Sequence, residues 1–275
     1  PWHLPLINTL ILLRSGAGDF VIDMARAVAG KLTGGPGLVA VFASALMGTI
    51  SGSAVANTAS TGVITIPVMK RAGFPPAFAG GVEAAASTGG QLMPPITGAG
   101  AFVMAAYTQI PYTTIVAVAI LPAILYFLTV AYFVRIEAKR QGLKPIPQDD
   151  VPSFLELLKR GGIVFVLPIS VLVGLLIYGF TPTYAAGFSI LAVVASSWLT
   201  PNRMGLRAVV EALQMGARNM VMTGVLLVSV GVVVNTIATS GVGNTFSLMI
   251  NDWAGGNVMI ALILIALASL VLGMG

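Results

Sequence analysis

The placement of charge constrains this chain more than any other feature. All 14 lysines and arginines fall in four short segments, separated by long apolar runs that contain no basic residue. Residues 14–35 hold Arg14, Arg26 and Lys31, and residues 70–74 hold Lys70 and Arg71. Residues 135–160 hold Arg135, Lys139, Arg140, Lys144, Lys159 and Arg160, and residues 203–218 hold Arg203, Arg207 and Arg218. A soluble domain carries about a quarter of its residues charged. Here only 8% are charged and 57% are hydrophobic, with a mean hydropathy of +0.96. Such a chain lacks the polar surface to cover a globule. Its solvent is a bilayer, where every backbone polar group must pair within the protein. The fold class expected is therefore an all-α polytopic membrane protein. The net charge of +5 does not point to nucleic acid, because basic clusters between apolar spans are what orient a membrane protein.

Several chemistries are excluded by what is missing. There is no cysteine, so disulfides and thiolate metal sites cannot form, and the single histidine, His3, stands at the N-terminus. Two protease-like motifs, Gly16-Ala17-Gly18-Asp19 and Thr49-Ile50-Ser51-Gly52, lack the second intramembrane Asp and the intramembrane His that their chemistries need. The chain is not expected to be an enzyme. It has no basic leader and breaks off within the apolar run LASLVLGMG, so both ends read as cut from a longer protein.

The apolar runs divide the chain into seven parts. Residues 1–35 read as the end of a span followed by a cytoplasmic interfacial helix over 19–31, where charges share one helical face. Residues 36–74 hold two short apolar runs around the small polar stretch SGSAVANTASTG, the pattern of a re-entrant hairpin. Residues 75–110 form one apolar stretch interrupted by STGGQLMPPITG, expected as a broken transmembrane helix. Residues 111–160 comprise a span (112–134) and a basic connector with three prolines. Residues 161–218 hold two spans (161–180 and 184–199) and an amphipathic segment over 203–218. Residues 219–256 hold a span (219–238) and a polar interfacial segment, and 257–275 the first arm of a second hairpin. If 36–69 returns to its own side, all four basic segments share one side, which the positive-inside rule makes the cytoplasm. The loops near 111, 181–183 and 239–256 then face the periplasm.

An internal repeat underlies this pattern. Ser15-Gly16-Ala17-Gly18-Asp19 matches Ser240-Gly241-Val242-Gly243-Asn244, and each leads through an amphipathic stretch to a glycine pair, Gly34-Gly35 or Gly255-Gly256. From Gly35 to Gly52, and from Gly256 to Gly273, the distance is 17 residues. By the charge rule the two units have opposite orientation. Inverted repeats whose interrupted helices meet near the midplane are characteristic of secondary transporters.

The interruptions carry the chemistry. Proline removes backbone donors and glycine admits unusual dihedrals, so carbonyl oxygens leave the helical ladder. Together with hydroxyl and amide oxygens at Ser51–Thr58 and Ser87–Pro95, these would make a hard-oxygen cage suited to Na⁺, while half-helix N-termini favour an anion. Glu83 is the one acid well inside an apolar span. Intramembrane acids are costly and often functional. It either assists cation binding or pairs with Arg14, Lys70 or Arg71. Asn235 and Thr236 form another polar spot, expected near a second site.

The stretch GTISGSAVANTASTGVITIPVMKRAGFPPAFAGGVEAAASTGGQLMPPITGAGAFVMA (48–105) resembles the large membrane subunit of TRAP transporters, tripartite ATP-independent periplasmic transporters. The likeness is to the fused-permease branch, which works with TAXI-type binding proteins, and it extends more weakly through SGVGN to LVLGMG. The resemblance implies an elevator mechanism, with Na⁺-driven uptake of an organic anion, often a carboxylate, delivered by a periplasmic substrate-binding protein. It implies a small membrane subunit or its fused equivalent as partner, and the inner membrane of a bacterium or archaeon as location. By family pattern Ser51, Gly52, Ser53, Asn57, Gly89, Gly90, Met93 and Pro94 would form the first Na⁺ site. Thr58, Ser87, Thr88, Gln91, Pro95 and Thr97 would face the substrate; Glu83, read from its own position in the span, would assist the cation if it does not pair with a basic residue. The alternative is a sodium-coupled carboxylate carrier of a related hairpin fold that needs no binding protein.

Overall fold

A computed structural model describes residues 18–95, 97–147, 151–199 and 204–273. The described residues are helical or in turns, without a strand. Two compact units divide at residue 218, and the 35-residue helix Leu206–Ser240 carries the division. The sequence separates this helix into an amphipathic segment and a span. It is continuous because no proline or glycine pair interrupts it.

In the first unit, α1 (Gly18–Ala29) is the amphipathic helix expected at the cytoplasmic interface. Asp19 lies in its first turn and Arg26 in its last, each complementing the helix dipole. Its apolar face buries Val21 and Ala25 fully, and Phe20 meets Phe165 at a ring distance of 5.6 Å. Gly34, at φ 81°, turns the chain into α2 (Gly35–Ser51). That helix is apolar around most of its circumference and is buried along nearly all its length, as such a helix must be.

Gly52 ends α2 in a left-handed conformation (φ 57°), and the hydroxyl of Ser53 caps α3 (Ala54–Arg71) by accepting from the Ala56 N–H at 3.3 Å. The two helices pack against each other as a hairpin. At 17 and 18 residues they are about 26–27 Å long, longer than the half-membrane arms the apolar runs suggest. After the turn at 72–75 comes α4 (Pro76–Gly89), then one 3-10 turn (Gly90–Leu92), extended Met93, a bend at Pro94–Pro95, and α5 (Ala99–Thr108). The interruption expected within 75–110 is thus a real break between two helices.

The helix α6 (Tyr112–Arg140) has 29 residues and a mean hydropathy of 2.4 in its most apolar part. Among the described residues it alone is long and apolar enough by itself to cross a membrane. Shorter apolar stretches lie at Gly35–Ser51, Gly161–Ile177, Thr183–Ser197, Gly231–Ser240 and Val258–Val271. The connector after α6 is pinned by the Ile146 N–H, which donates to the Gly30 carbonyl at 3.0 Å. α7 (Phe154–Ile177) and α8 (Pro182–Ser197) form a second hairpin around Leu172, Leu176, Ala185 and Ala186. Buried Ser189 stitches it by donating to the Pro168 carbonyl at 3.0 Å.

In the second unit, the part of α9 (Leu206–Ser240) beyond Arg218 is followed by α10 (Val242–Ala254), the positive-φ pair Gly255 and Gly256, and α11 (Val258–Gly273). Helix lengths of 12 and 17 residues around Gly34-Gly35 recur as 13 and 16 around Gly255-Gly256. Residues 1–17, which include Arg14 and most of the first SGAGD motif, lie outside the described residues.

Candidate functional site

Three helices of the first unit meet in an apolar surround, and six of their polar residues turn to one place. On α3, Asn57, Thr61 and Thr65 recur every four residues, so they share one face. All three are buried. Ser44 faces them from α2, and Glu83 and Ser87, also four residues apart, from α4. Glu83 is fully buried. Its Oε1 accepts from the hydroxyls of Thr61 (2.5 Å), Ser87 (3.0 Å) and Ser44 (3.3 Å), and its Oε2 accepts from Thr65. Gly62 makes room, since a Cβ there would stand 3.1 Å from the Glu83 Cγ.

This arrangement bears on one of the two roles open to Glu83, pairing with a basic residue. Among the described residues it has no ion pair with Lys70 or Arg71, which lie in the last turn of α3. Arg14 lies outside the described residues. Among the described residues its partners are hydroxyl donors. They are what a buried acid requires, because an unpaired charge away from water costs several kcal/mol.

The network continues to the two interruptions. The Thr61 hydroxyl also lies 2.8 Å from the Asn57 carbonyl. The Asn57 amide donates to the Ser44 carbonyl at 2.8 Å, which leaves Oδ1 with one long contact to Thr61 at 3.5 Å. The break then closes on the hairpin tip through paired glycines. A Cβ on Gly48 would fall 2.4 Å from the Gly90 Cα, and one on Gly90 2.8 Å from the Asn57 Nδ2. Gly98 lies against the Gly52 carbonyl, where a Cβ would come within 3.1 Å, and its N–H donates to the Gln91 carbonyl at 2.8 Å. From α6, Tyr126 covers Gly89, where a Cβ would stand 2.4 Å from the ring, and donates to the Ala85 carbonyl at 2.9 Å.

The candidate residues therefore divide. The structure brings Gly52, Asn57, Gly89 and Gly90 together with Ser51 and Ser53. Ser51 is buried at the end of α2, with contacts of 3.4–3.5 Å to the Ser53 backbone. Ser87 belongs to the Glu83 cluster. Met93, Pro94 and Pro95 are half-buried in the link between α4 and α5. Thr97 is buried, its hydroxyl 3.3 Å from that of Tyr112, which donates to the Pro95 carbonyl at 2.9 Å. Two residues turn away. Thr88 is exposed and spends its hydroxyl on the Ala84 carbonyl, and the Gln91 side chain is exposed. Thr58 is half-buried and donates to the Ala54 carbonyl. Asn235 and Thr236 are exposed on α9, in the second unit.

Sequence reading missed Ser44, Thr61 and Thr65. The four-residue recurrence of Asn57, Thr61 and Thr65 in an apolar helix is the signal that marks them. Among the described residues no three His, Cys, Asp or Glu side chains gather as a metal cage. What gathers is neutral oxygen around one carboxylate.

A polar island of this kind, enclosed by apolar helices where two interruptions meet, is the architecture of a membrane transport protein. The family model of the tripartite ATP-independent periplasmic transporter DctM component matches residues 6–275, and the chain belongs to that family of transport proteins, which are not enzymes. It is 30% identical over 184 residues to a C4-dicarboxylate TRAP transporter large permease protein of Pseudomonas aeruginosa, covering 66% of this chain and 42% of the relative. It is 27% identical over 206 residues to a sialic acid TRAP transporter large permease protein of Vibrio cholerae, covering 73% and 46%. A putative TRAP transporter large permease protein of Haemophilus influenzae matches at 25% over 264 residues, covering 96% of this chain and 61% of its own. The chain spans about half the length of these curated relatives.

Proposed function

We propose that this chain forms part of the transport domain of a TRAP-type importer, which takes up an organic anion, a carboxylate, across the inner membrane in symport with Na⁺. A periplasmic binding protein delivers the anion, a small membrane subunit or its fused equivalent completes the membrane part, and the transport domain moves as an elevator. One observation carries the coupling: the hairpin tip and the helix break touch through Gly48 and Gly90, which gathers neutral oxygens from both interruptions. A neutral oxygen set favours a monovalent ion, since Ca²⁺ and Mg²⁺ sites recruit carboxylates. The relatives named for C4-dicarboxylate and sialic acid support an acidic substrate. The local recurrence of an amphipathic helix, a glycine pair and an apolar helix supports the inverted repeat that elevator motion uses.

In this reading Asn57 offers Oδ1 to the ion while its amide is held by Ser44. Substituting Asn57→Ala in the complete transporter removes that oxygen. A hydrogen bond or ligand contact to a charged group contributes about 1.5–3 kcal/mol. The Na⁺ concentration for half-maximal uptake in proteoliposomes is therefore expected to rise about tenfold or more. Substrate binding by the separate periplasmic protein is expected to stay unchanged. If Asn57→Ala, Ser53→Ala and Gln91→Ala all leave the Na⁺ dependence as it was, the ion binds elsewhere. Concentrative uptake without any periplasmic protein would point to the binding-protein-independent carrier instead.

A further inference from the structure

Glu83 is the largest buried polar group whose position the Na⁺ site does not itself require. Three helices contribute hydroxyls to it: Ser44 from α2, Thr61 and Thr65 from α3, and Ser87 from its own helix α4. Its side chain is fully buried, and no basic residue among the described ones pairs with it. If these hydroxyls served only to join the helices, a neutral side chain would do as well, because serine and threonine both donate and accept. A carboxylate adds one thing that a neutral residue lacks, a net negative charge in a medium that screens it poorly.

That charge has a direction. Thr61 bridges Glu83 Oε1 and the Asn57 carbonyl, and Asn57 abuts Gly90 at the break. Ser87 carries the contact one turn along α4 towards Gly89. The tip and break present only neutral oxygens, so an ion held there has no charged ligand. We infer that Glu83 is the counter-charge of the Na⁺ site: it does not touch the ion, but its field, passed through the Thr61–Asn57 and Ser87 contacts, sets the ion's affinity. This rests on the ion site proposed above and adds to it the residue that balances its charge.

The magnitude follows from geometry. Six residues of helix separate Glu83 from Gly89, about 9 Å at 1.5 Å per residue. A unit charge at that distance and an effective dielectric of ~20 changes the affinity for a monovalent cation about twentyfold. Glu83 is thus a positioning and charge-balancing residue, and a readout of charge separates it from a mere clasp between helices.

The test compares charge with shape, using Na⁺ itself as the probe. Purified full-length protein is heated in NaCl or in choline chloride at equal ionic strength, and the Na⁺-dependent rise in Tm is titrated to give Kd. Glu83→Gln keeps the shape and removes the charge, so Kd for Na⁺ is expected to rise about twentyfold. Glu83→Asp keeps the charge and shortens the side chain, so Kd is expected to stay within about threefold of wild type while the Tm in choline falls. The pair Glu83→Gln with Thr65→Asp returns a carboxylate across the same contact and is expected to restore Na⁺ affinity. This double variant also decides the matter if Glu83→Gln alone fails to fold. If Glu83→Gln binds Na⁺ like wild type while Asn57→Ala is impaired, the counter-charge proposal is overturned and the ion site stands. Equal weakening by Glu83→Asp and Glu83→Gln would mark Glu83 as a structural clasp and also overturn it. Wild-type affinity in both Asn57→Ala and Glu83→Gln would remove the ion site and, with it, the counter-charge.

Discussion

The two apolar helices that follow the glycine pairs differ in their side chains and in how their own units enclose them. α2, after Gly34-Gly35, is buried along most of its length and forms one wall of the polar island. α11, after Gly255-Gly256, is more apolar still, yet Val258, Leu262, Leu270 and Val271 are all more than half exposed. Apolarity alone does not decide which helix is enclosed. α2 places Gly37, Ala40, Ala43, Ser44 and Gly48 where neighbours approach, and small residues let helix backbones come close when lipid offers no hydrophobic gain for packing. α11 presents Met259, Ile260, Leu262 and Ile263 instead. The first pattern builds the polar island of the first unit, whereas the second keeps long apolar side chains available to further helices or to lipid.

The largest expected effect tests the close approach directly. Gly48→Ala sets a Cβ 2.4 Å from the backbone of Gly90, and overpacking of this kind costs typically 1–3 kcal/mol. A fall in Tm and loss of Na⁺-dependent uptake are expected together. Gly231→Ala on α9 meets open space, and replacing an exposed helical glycine gains up to about 1 kcal/mol. Thermal unfolding of the two variants is expected to shift in opposite directions. Equal damage would mean that the α9 surface is as closely packed as α2, and the contrast would fail.

The next effect concerns environment. The chain has no cysteine, so single labels report cleanly. Spin labels at Leu262 and Ile263 are expected to meet oxygen dissolved in lipid rather than a water-soluble relaxant. A label at Ala43 is expected to meet neither. Strong water exposure at 262 would show that α11 faces an aqueous cavity.

Sidedness sharpens the comparison further. Lys144→Cys is expected to resist a membrane-impermeant thiol reagent in intact cells, and Asn251→Cys to react, because every basic residue falls on the side assigned to the cytoplasm. The reverse pattern would invert both repeats.

The smallest effect is at α1. Burial holds the Asp23 carboxyl above its ordinary range, Arg26 at 3.7 Å pulls it down, and Asp19 pushes it up. Because the folded-state value is raised, the charged form is disfavoured in the folded protein, and the cost grows as pH rises above the ordinary carboxylate value and is complete above the raised one. Asp23→Asn is therefore expected to raise stability slightly at neutral pH, by less than ~0.5 kcal/mol at this half-exposed site. The difference is expected to vanish in acid, as Tm measured against pH would reveal.

How much of this was legible beforehand differs from element to element. The hairpin tip, the break and the amphipathic α1 are local matters. Gly52 and Ser53 end one helix and cap the next, and the run from Gly89 to Pro95 cannot continue a helix, so both interruptions stand out in the linear chain. The isolation of Glu83 was equally visible, and so was the scarcity of charge that places the chain among membrane proteins.

Only the tertiary structure decided which partners Glu83 takes, that Gly48 and Gly90 touch, and that Thr88 and the Gln91 side chain turn outward while Asn57 turns in. The physical reason is that helical period assigns residues to faces but does not say how far one helix is rotated or slid against another. In an apolar surround that choice falls to close contacts between small residues and to the need of each buried polar group for a partner. Those contacts link residues as far apart in sequence as Ser44 and Glu83, and Gly48 and Gly90, where no local pattern reaches.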